Sequence, residues 1–273
     1  MDAAMTKGFG IIQFQKWLRE RELSENTVRT YSYAVKEFLG KYGGLTRQNL
    51  IAYKLYLIGN REAATACNRC IAINQYCVFC GKPELRLKTV KVPKTMSVEN
   101  VISKEQYKTL LCALKEDGRD KWYYMILFLG KTGARVSELI RFRKADLEKG
   151  YCEIWTKGKI RKIRFPQSLV AESEGYFRTV AGEYLFPNRY GGQPTARGIR
   201  TAIKQMAERY GIDRGVMHPH SFRHLFAVEF LKRNKNIAFL ADLMGHESVD
   251  TTAIYLRMSE QEQTEQLNQG VDW

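Results

Sequence analysis

The stretch His218-Pro-His-Ser-Phe-Arg-His224 is the most informative part of this sequence. Proline is favoured at the first position of a helix, so Pro219 predicts that a helix begins here. Residues three apart share a face of a helix, which places His220 beside Arg223. Such a pair is by itself an ordinary surface feature, and its meaning depends on the other motifs of the chain.

Two further stretches in the same half carry basic residues at turns. In Thr132-Gly-Ala-Arg-Val-Ser-Glu-Leu139, a glycine interrupts the chain after a buried helix, and the next helix starts at once and presents Arg135. The run Lys157-Gly-Lys-Ile-Arg-Lys-Ile-Arg164 is the densest cationic segment. On both sides of its Lys-Gly-Lys the apolar period falls to two, which predicts a β-hairpin over residues 151–155 and 160–165.

Another stretch combines Gly245-His246 with Tyr255, nine residues after the histidine. The residues in between predict a helix over 248–257 whose inward face is formed by Val249, Thr252 and Leu256. Tyr255 lies one position away from that face, so we expect it at the edge of the helix.

The charge balance predicts a polyanionic partner. Lys and Arg number 44 against 29 Asp and Glu, which gives a formal net charge of +15. Both halves of the body are basic, which favours two modules that grip one long polyanion. Residues 258–273 differ, since they contain four acidic residues and neither Lys nor Arg. We expect this tail to contact protein rather than DNA, because phosphates would repel it.

Composition excludes several classes of protein. Apolar residues form 44% of the chain and aromatic residues 12%, which is enough for a core and excludes a disordered polycation. No apolar stretch approaches the length that spans a bilayer, and the N-terminus lacks the apolar region of a signal peptide. We therefore expect a soluble, cytoplasmic, DNA-associated protein, in which the six cysteines are reduced.

Apolar periodicity predicts a mainly α fold with one small antiparallel β-sheet. The first eighty residues are predicted to form four helices, the second capped by Ser24 and ended by Gly43-Gly44. Residues 82–102 break this pattern with prolines and a series of basic residues, and are predicted to be an extended linker. The predicted units are therefore residues 1–81, the linker 82–102, and residues 103–273.

The pairs Cys67-x-x-Cys70 and Cys77-x-x-Cys80 raise the alternative of a zinc site. Six residues between the pairs are few for a zinc ribbon, and neither Gly nor Pro interrupts the stretch. It is therefore predicted to be one helix, with Cys67, Cys70, Asn74 and Cys77 along one face. Free cysteines pack as small apolar residues, so we expect core thiols and no metal site.

Together these stretches resemble the motif set of the tyrosine recombinases, also called the phage integrase family. The residues that carry the resemblance are TGARVSELIRF, TKGKIRKIRF, HPHSFRHLFA and GHESVDTTAIYLR, in that order. In the first half, Leu23-Ser-Glu-Asn-Thr-Val-Arg-Thr-Tyr31 is similar to the start of the family's core-binding domain. Two positions depart from the usual pattern, since Phe222 replaces an aliphatic residue and Ala134 fills a variable position. The resemblance implies a helical, SAM-like core-binding domain followed by a recombinase catalytic domain.

The resemblance also implies a reaction in which Tyr255 attacks a scissile phosphate and leaves a 3′-phosphotyrosyl bond and a free 5′-hydroxyl. Because the ester conserves the bond energy, neither ATP nor a metal ion is needed, and no cofactor is expected. Two arginines can bind the non-bridging phosphate oxygens bidentately. The implied set is Arg135 and Arg223 as phosphate ligands, His246 as a donor to the phosphate, His220 assisting the nucleophile Tyr255, Lys157 or alternatively Lys159 as general acid, and Glu138 orienting Arg135.

Other basic residues are candidates for contact with duplex DNA. The helix from Thr195 is predicted to present one cationic face, which in this family lies against the major groove. Linker lysines would follow the phosphate backbone and set the salt dependence of binding. The resemblance further implies a homotetramer on two synapsed sites, each an inverted pair of half-sites. The candidates are Arg197, Arg200 and Lys204 on the helix, and Lys88, Lys91 and Lys94 in the linker.

Two alternative functions stay open at this point. One is a DNA-binding regulator on the same scaffold that no longer cuts, and the other is a type IB topoisomerase, which shares the tyrosine chemistry. We expect no arm-type DNA-binding domain ahead of residue 9, which would favour a simple Xer-like or invertase-like recombinase. Integration, inversion and resolution are equally compatible with the sequence, and the tail is compatible with docking on its own subunit or on a neighbour.

Overall fold

The computed structural model describes residues 3–92, 101–156, 159–246 and 248–256, together with residues 268 and 271. Residues 3–9, 156 and 159 are described by their backbone alone. Over these ranges the chain is mainly helical with one two-stranded antiparallel sheet, which confirms the predicted fold class. None of the helices in this part of the chain has the length and apolarity that crossing a membrane requires.

The chain divides into two compact units, residues 1–94 and 95–273. This division falls inside the predicted linker, whose first part packs on the first unit. A 3₁₀ turn spans Pro83–Leu85, and Leu87 is buried in the first unit's core. The Asn74 side chain donates to the Leu87 carbonyl at 2.8 Å and accepts from the Leu87 amide at 2.7 Å. The predicted limits at residues 81 and 102 stay a prediction, but the chain up to Leu87 is anchored.

The first unit consists of the four helices that the sequence predicted. The Ser24 hydroxyl accepts from the Thr27 amide at the start of the second helix, and Gly43, with φ +78°, ends it. Both of these predicted caps are confirmed. The helices are α1 (Ala3–Glu20), α2 (Glu25–Tyr42), α3 (Arg47–Asn60) and α4 (Ala63–Phe79).

The cysteine-rich helix α4 is continuous, as its lack of Gly and Pro predicted. Cys70 and Cys77 are buried in the core of the first unit, and burial raises the pKa of both thiols. Cys67 is half-buried, and Cys80 is exposed just beyond the end of the helix. The expected packing role is therefore confirmed for the two inner cysteines and is wrong for Cys80.

The second unit has a main core and a smaller one beside it. The predicted buried helix at residues 122–131 belongs to the main core, which confirms that prediction. The smaller core consists of Ala227, Leu231, Leu240, Met244 and Tyr255. The helices of this unit are α5 (Lys104–Glu116), α6 (Asp120–Thr132), α7 (Val136–Leu139), α8 (Lys144–Lys149), α9 (Gln167–Thr179), α10 (Ala196–Arg209), α11 (Pro219–Arg233), α12 (Ile237–Met244) and α13 (Val249–Ala253).

The predicted hairpin is confirmed. Strands β1 (Tyr151–Thr156) and β2 (Lys159–Arg164) pair antiparallel along their full length. Alternate residues of a strand face opposite sides, and Ile163 on the inward side of β2 is buried. Arg161, two residues earlier, lies on the same inward side.

The last predicted helix is shorter than expected, and its inward face is different. Helix α13 ends at Ala253 and continues as a 3₁₀ turn over Ile254–Leu256. Residues three apart are neighbours on one side of a helical segment, and Tyr255 follows the buried Thr252 inward and is 7% exposed. Val249 and Leu256 are exposed. The predicted stripe is therefore wrong at those two positions, and Tyr255 is buried rather than at the edge.

Candidate active site

A glycine turn at the end of α6 presents Arg135. Gly133 has φ +61°, and a side chain there would meet the ring of Phe226 at 2.5 Å, so the tight turn requires glycine. Helix α7 begins directly after Arg135. The buried Glu138 carboxylate accepts from the Arg135 backbone amide at 2.6 Å and from its guanidinium at 3.0 Å. The structure therefore brings Glu138 into contact with Arg135, with the guanidinium partly open to solvent.

Arg223 on α11 is buried and connects two helix ends. Its guanidinium donates to the carbonyl of Gly133 at 2.6 Å, at the end of α6, and to that of Met244 at 2.6 Å, at the end of α12. Burial, with the positive charges of Arg135 and Arg161 adding to it, lowers the pKa of Arg223 to about 9. The group therefore stays charged at neutral pH, although it is 1% exposed.

His246 follows the left-handed Gly245 at the end of α12 and lies against Arg223. Its Nε2 is 3.0 Å from the guanidinium, and its Nδ1 is 2.7 Å from the hydroxyl of Thr252. Burial and the positive charge of Arg223 lower the pKa of His246 to about 4, so the ring is neutral. Since a guanidinium can only donate, Nε2 accepts and Nδ1 carries the proton. Donation from His246 to a phosphate stays a prediction.

The hydroxyl of Tyr255 is 2.7 Å from Nδ1 of His224. Burial raises the pKa of Tyr255 to about 12, although the charges of Arg223 and Arg135 act in the opposite direction. Burial likewise lowers the pKa of His224 to about 4. At neutral pH the pair is therefore a hydrogen bond between two neutral groups, in which the hydroxyl donates when Nδ1 has no proton.

The sequence placed His220 next to the tyrosine, and the structure places His224 there. The rings of His220 and His224 pack edge to face, with centroids 4.3 Å apart. The His220 residue is exposed overall, but protein atoms around its ring partly desolvate it. This desolvation lowers the pKa of His220, and the positive charge of Arg223 lowers it further. His220 therefore contacts His224, the histidine whose Nδ1 is within hydrogen-bond distance of the Tyr255 hydroxyl.

Sequence reasoning missed three residues of this site: His224, Thr252 and Arg161. His224 is four residues after His220 on a predicted helix, so the i, i+4 relation already indicates a shared face. Arg161 alternates with the apolar Ile163 in the predicted strand, which indicates an inward position. Its guanidinium pairs with Glu138 and donates to the carbonyl of Leu243 at 3.0 Å.

A cleft of about 710 Å³ opens at Arg161, Glu138 and Gly245. Arg135 and His246 line it, together with residues of the hairpin and of the turn after α7. Its lining is predominantly basic, although Glu138 and Asp242 also contribute. The basic residues that line it are Arg135, Arg141, Arg161, Lys162 and Arg164.

The other predicted site residues are less constrained by the structure. Lys157 and Lys94 lie outside the described residues, as does the side chain of Lys159. Across the described part of the chain, His, Cys, Asp and Glu form no group of three or more that could hold a metal ion. The exposed candidates for DNA contact are Arg197, Arg200 and Lys204 on the solvent face of α10, and Lys88 and Lys91 in the first unit.

A cluster of arginines and neutral histidines around a buried tyrosine, on a mainly helical domain, defines a site suited to phosphodiester groups. The model of the phage integrase family matches residues 100–262. The tyrosine recombinase XerA of Pyrococcus furiosus is 31% identical over 258 residues, which cover 90% of this chain and 88% of that protein. The chain therefore belongs to the phage integrase family of tyrosine recombinases. This confirms the predicted resemblance and supports a role in site-specific recombination.

Solved structures of the same fold include two recombinases with DNA. The XerH recombinase bound to its difH substrate, before cleavage, has a TM-score of 0.70 at 18% identity, covering 93% of this chain and 82% of that chain. A lambda integrase tetramer bound to a Holliday junction has a TM-score of 0.73 at 15% identity, covering 93% and 79%. At these identities the likeness establishes the fold.

Proposed function

We propose that this protein cuts and rejoins duplex DNA through a 3′-phosphotyrosyl intermediate on Tyr255. The observation that carries the proposal is the hydrogen bond between the Tyr255 hydroxyl and neutral His224, close to Arg223 and Arg135. An isolated phenol is a weak nucleophile at neutral pH because its pKa is about 10. A neutral acceptor beside it and cations around it are what attack on an anionic phosphate requires.

The charged groups of the site are expected to stabilise the transition state more than the ground state. Three guanidinium groups and one carboxylate lie together, which leaves 3 − 1 = +2 when the histidines are neutral. A phosphorane-like transition state carries one more negative charge than the phosphodiester, so this excess favours it selectively. Fixed donors of this kind typically contribute ~2.7–4 kcal/mol each to lowering the barrier.

The cleavage step balances as follows. The Tyr255 oxygen forms a bond to phosphorus while the bond from phosphorus to the 5′-oxygen breaks. The phenol proton leaves toward His224, which is in direct contact with the hydroxyl and packs against His220. The departing 5′-oxygen takes a proton from Lys157, for which Lys159 is the alternative. Rejoining reverses these steps with the 5′-hydroxyl of a partner strand, so neither ATP nor a metal ion enters the scheme.

The same proposal covers the assembly and its DNA. A homotetramer that synapses two duplex sites, each an inverted pair of half-sites, is supported by the fold shared with the lambda integrase tetramer on a Holliday junction. The cations of α10, together with Lys88 and Lys91, are exposed and are proposed to add DNA contacts. The acidic tail, residues 258–273, is proposed to dock on protein within this assembly.

A direct test looks for covalent protein–DNA adducts. The protein is mixed with supercoiled plasmid that carries the DNA flanking its own gene, in EDTA, and the reaction is stopped with detergent. We expect DNA linked through its 3′ end, with mass spectrometry locating the link on the peptide that contains Tyr255. Binding without an adduct, even on nicked substrates that trap cleavage, would establish the regulator instead. Relaxation without strand exchange would establish topoisomerase activity.

The assignment of the general acid has its own test. Replacing Lys157 with Ala is expected to slow cleavage by about 10²–10⁴-fold, because the 5′-oxygen then leaves without a proton. A substrate with sulfur at the bridging 5′ position should restore the rate, since a thiolate leaves unprotonated. Lys159→Ala is the matched control, and we expect a normal rate on both substrates. The opposite pattern would assign the role to Lys159.

A further inference from the structure

Arg161 is a charged residue that points away from solvent. It lies on β2, on the side of Ile163, and its side chain is 10% exposed. The exposed residues Lys162 and Arg164 alternate with it on the other side of the strand. A guanidinium on the inward side of a hairpin requires a reason, because charged residues are seldom buried unless they are paired.

The contacts of Arg161 join three segments of the site. Its guanidinium pairs with Glu138 at the start of α7, and Glu138 also binds Arg135. The same guanidinium donates at 3.0 Å to the carbonyl of Leu243, three residues before His246. One side chain therefore connects the hairpin with the turn that presents Arg135 and with the turn that presents His246.

Gly245 makes room for this connection. Its φ is +60°, and a Cβ added there would lie 2.5 Å from both Cδ and Nε of Arg161. Real Cβ atoms do not approach other atoms so closely, so with any larger residue at 245 the side chain of Arg161 would have to move away. The left-handed turn before His246 and the path of the Arg161 side chain therefore depend on each other.

Stability alone is a poor explanation for this arrangement. Taking a guanidinium and a carboxylate out of water costs several kcal/mol each, and well-packed apolar residues often replace a buried ion pair at no loss of stability. Burial, the larger influence, lowers the pKa of Arg161 although Glu138 opposes it, and the buried Nε of Arg161 has no hydrogen-bond partner among the described residues. The free energy of desolvation is therefore large for a contact that would serve stability alone.

We propose that Arg161 is a positioning residue of the active site, which seats the hairpin 151–164 against the turns that present Arg135 and His246. The proposal rests on the proposed cleavage reaction, because Lys157 and Lys159, the candidates for the general acid, belong to this stretch of the sequence. Through Glu138 the guanidinium also fixes the orientation of Arg135. Arg161 itself need not touch the phosphate, and its contribution is geometric.

The test separates binding from cleavage in three variants. Arg161→Met removes the charge and keeps an unbranched apolar stem, Arg161→Lys keeps the charge and loses the planar fork, and Arg178→Met removes an arginine from an exposed ion pair on α9 as the control. For each, the dissociation constant for a cleavable duplex and the rate of adduct formation at saturating DNA are measured. We expect both Arg161 variants to form the adduct more slowly, Arg161→Met by on the order of 10²-fold. Their dissociation constants for DNA should equal that of the control variant.

A second measurement is independent of cleavage. Gly245→Ala, Arg161→Ala and the double variant form a cycle in which the free energy of unfolding is measured. The backbone strain at residue 245 is common to both backgrounds and cancels. We expect Gly245→Ala to destabilise the wild type more than the Arg161→Ala variant, because the collision exists only in the first.

The outcomes distinguish this proposal from the one on which it rests. A wild-type adduct with normal rates in both Arg161 variants would overturn the positioning role and leave the proposed function intact. A normal rate in Arg161→Lys alone would also overturn it, since charge and not geometry would then suffice. Additive effects in the cycle would show that Arg161 does not pack on Gly245. A wild type without any adduct would overturn the proposed function itself.

Discussion

Replacing Tyr255 with Phe is expected to abolish the covalent protein–DNA adduct. The variant lacks the phenol oxygen that is proposed to form the bond to phosphorus. We do not expect the neighbouring histidines to replace it as nucleophile. The ring stays in the small core of the second unit, so the fold and the DNA affinity should persist. Loss of the hydroxyl leaves Nδ1 of His224 without its partner, and we expect the free energy of unfolding to fall by about 1 kcal/mol.

This prediction is checked by gel electrophoresis after a detergent stop, with DNA binding measured in parallel. The control is Tyr190→Phe, which removes the hydroxyl of an exposed tyrosine outside the cleft and should leave the adduct unchanged. An adduct that survives in Tyr255→Phe would mean that another residue is the nucleophile, and the linked peptide would then identify it.

Replacing Arg223 with Met is expected to slow adduct formation by roughly 10²–10³-fold, with little change in stability. The rate is expected to fall because the variant lacks the buried, fixed guanidinium that is proposed to bind the phosphate. Two hydrogen bonds from the guanidinium to carbonyls are lost as well, worth about 1.5–3 kcal/mol each. Relief of the buried charge offsets this loss, because burying an ion costs several kcal/mol, so we expect the melting temperature to change little.

Arg223→Lys provides the matched comparison, since it keeps the charge and removes the fork that binds Gly133 and Met244 together. We expect a rate close to that of Arg223→Met, because one ammonium cannot hold two carbonyls and a phosphate at once. Single-turnover cleavage and thermal unfolding check both variants. If Arg223→Lys cleaves at the normal rate, charge alone accounts for the role of Arg223.

Much of this arrangement was predictable from local patterns. Pro219 does start α11, the glycine after α6 does present Arg135, and the change of period at 151–165 does mark the hairpin. These features depend on neighbouring residues alone, through turns, caps and alternation. The family followed from the order of the motifs, which is also a property of the sequence itself.

The errors concern contacts between distant segments. Periodicity predicted an α-helix up to residue 257 with Val249 and Leu256 inward, whereas the chain forms a 3₁₀ turn from Ile254 and Tyr255 is buried against His224. Strand alternation indicated that Arg161 faces inward but not what it meets there, because Glu138 and Leu243 come from other parts of the chain. Burial that depends on tertiary partners cannot be read from the spacing of one segment.

The small core that holds Tyr255 has a consequence for dynamics. Local opening requires less free energy where few apolar side chains are buried, and such regions open as cooperative units while the rest of a domain stays folded. Among the described residues, Tyr255 shares a core of five buried side chains with α11 and α12, whereas the segments of Arg135 and Ile163 pack on the main core. We therefore expect the segment that holds Tyr255 to open locally at a lower free energy than those two segments. We expect this local equilibrium, rather than the global stability of the domain, to determine how often the Tyr255 hydroxyl becomes accessible.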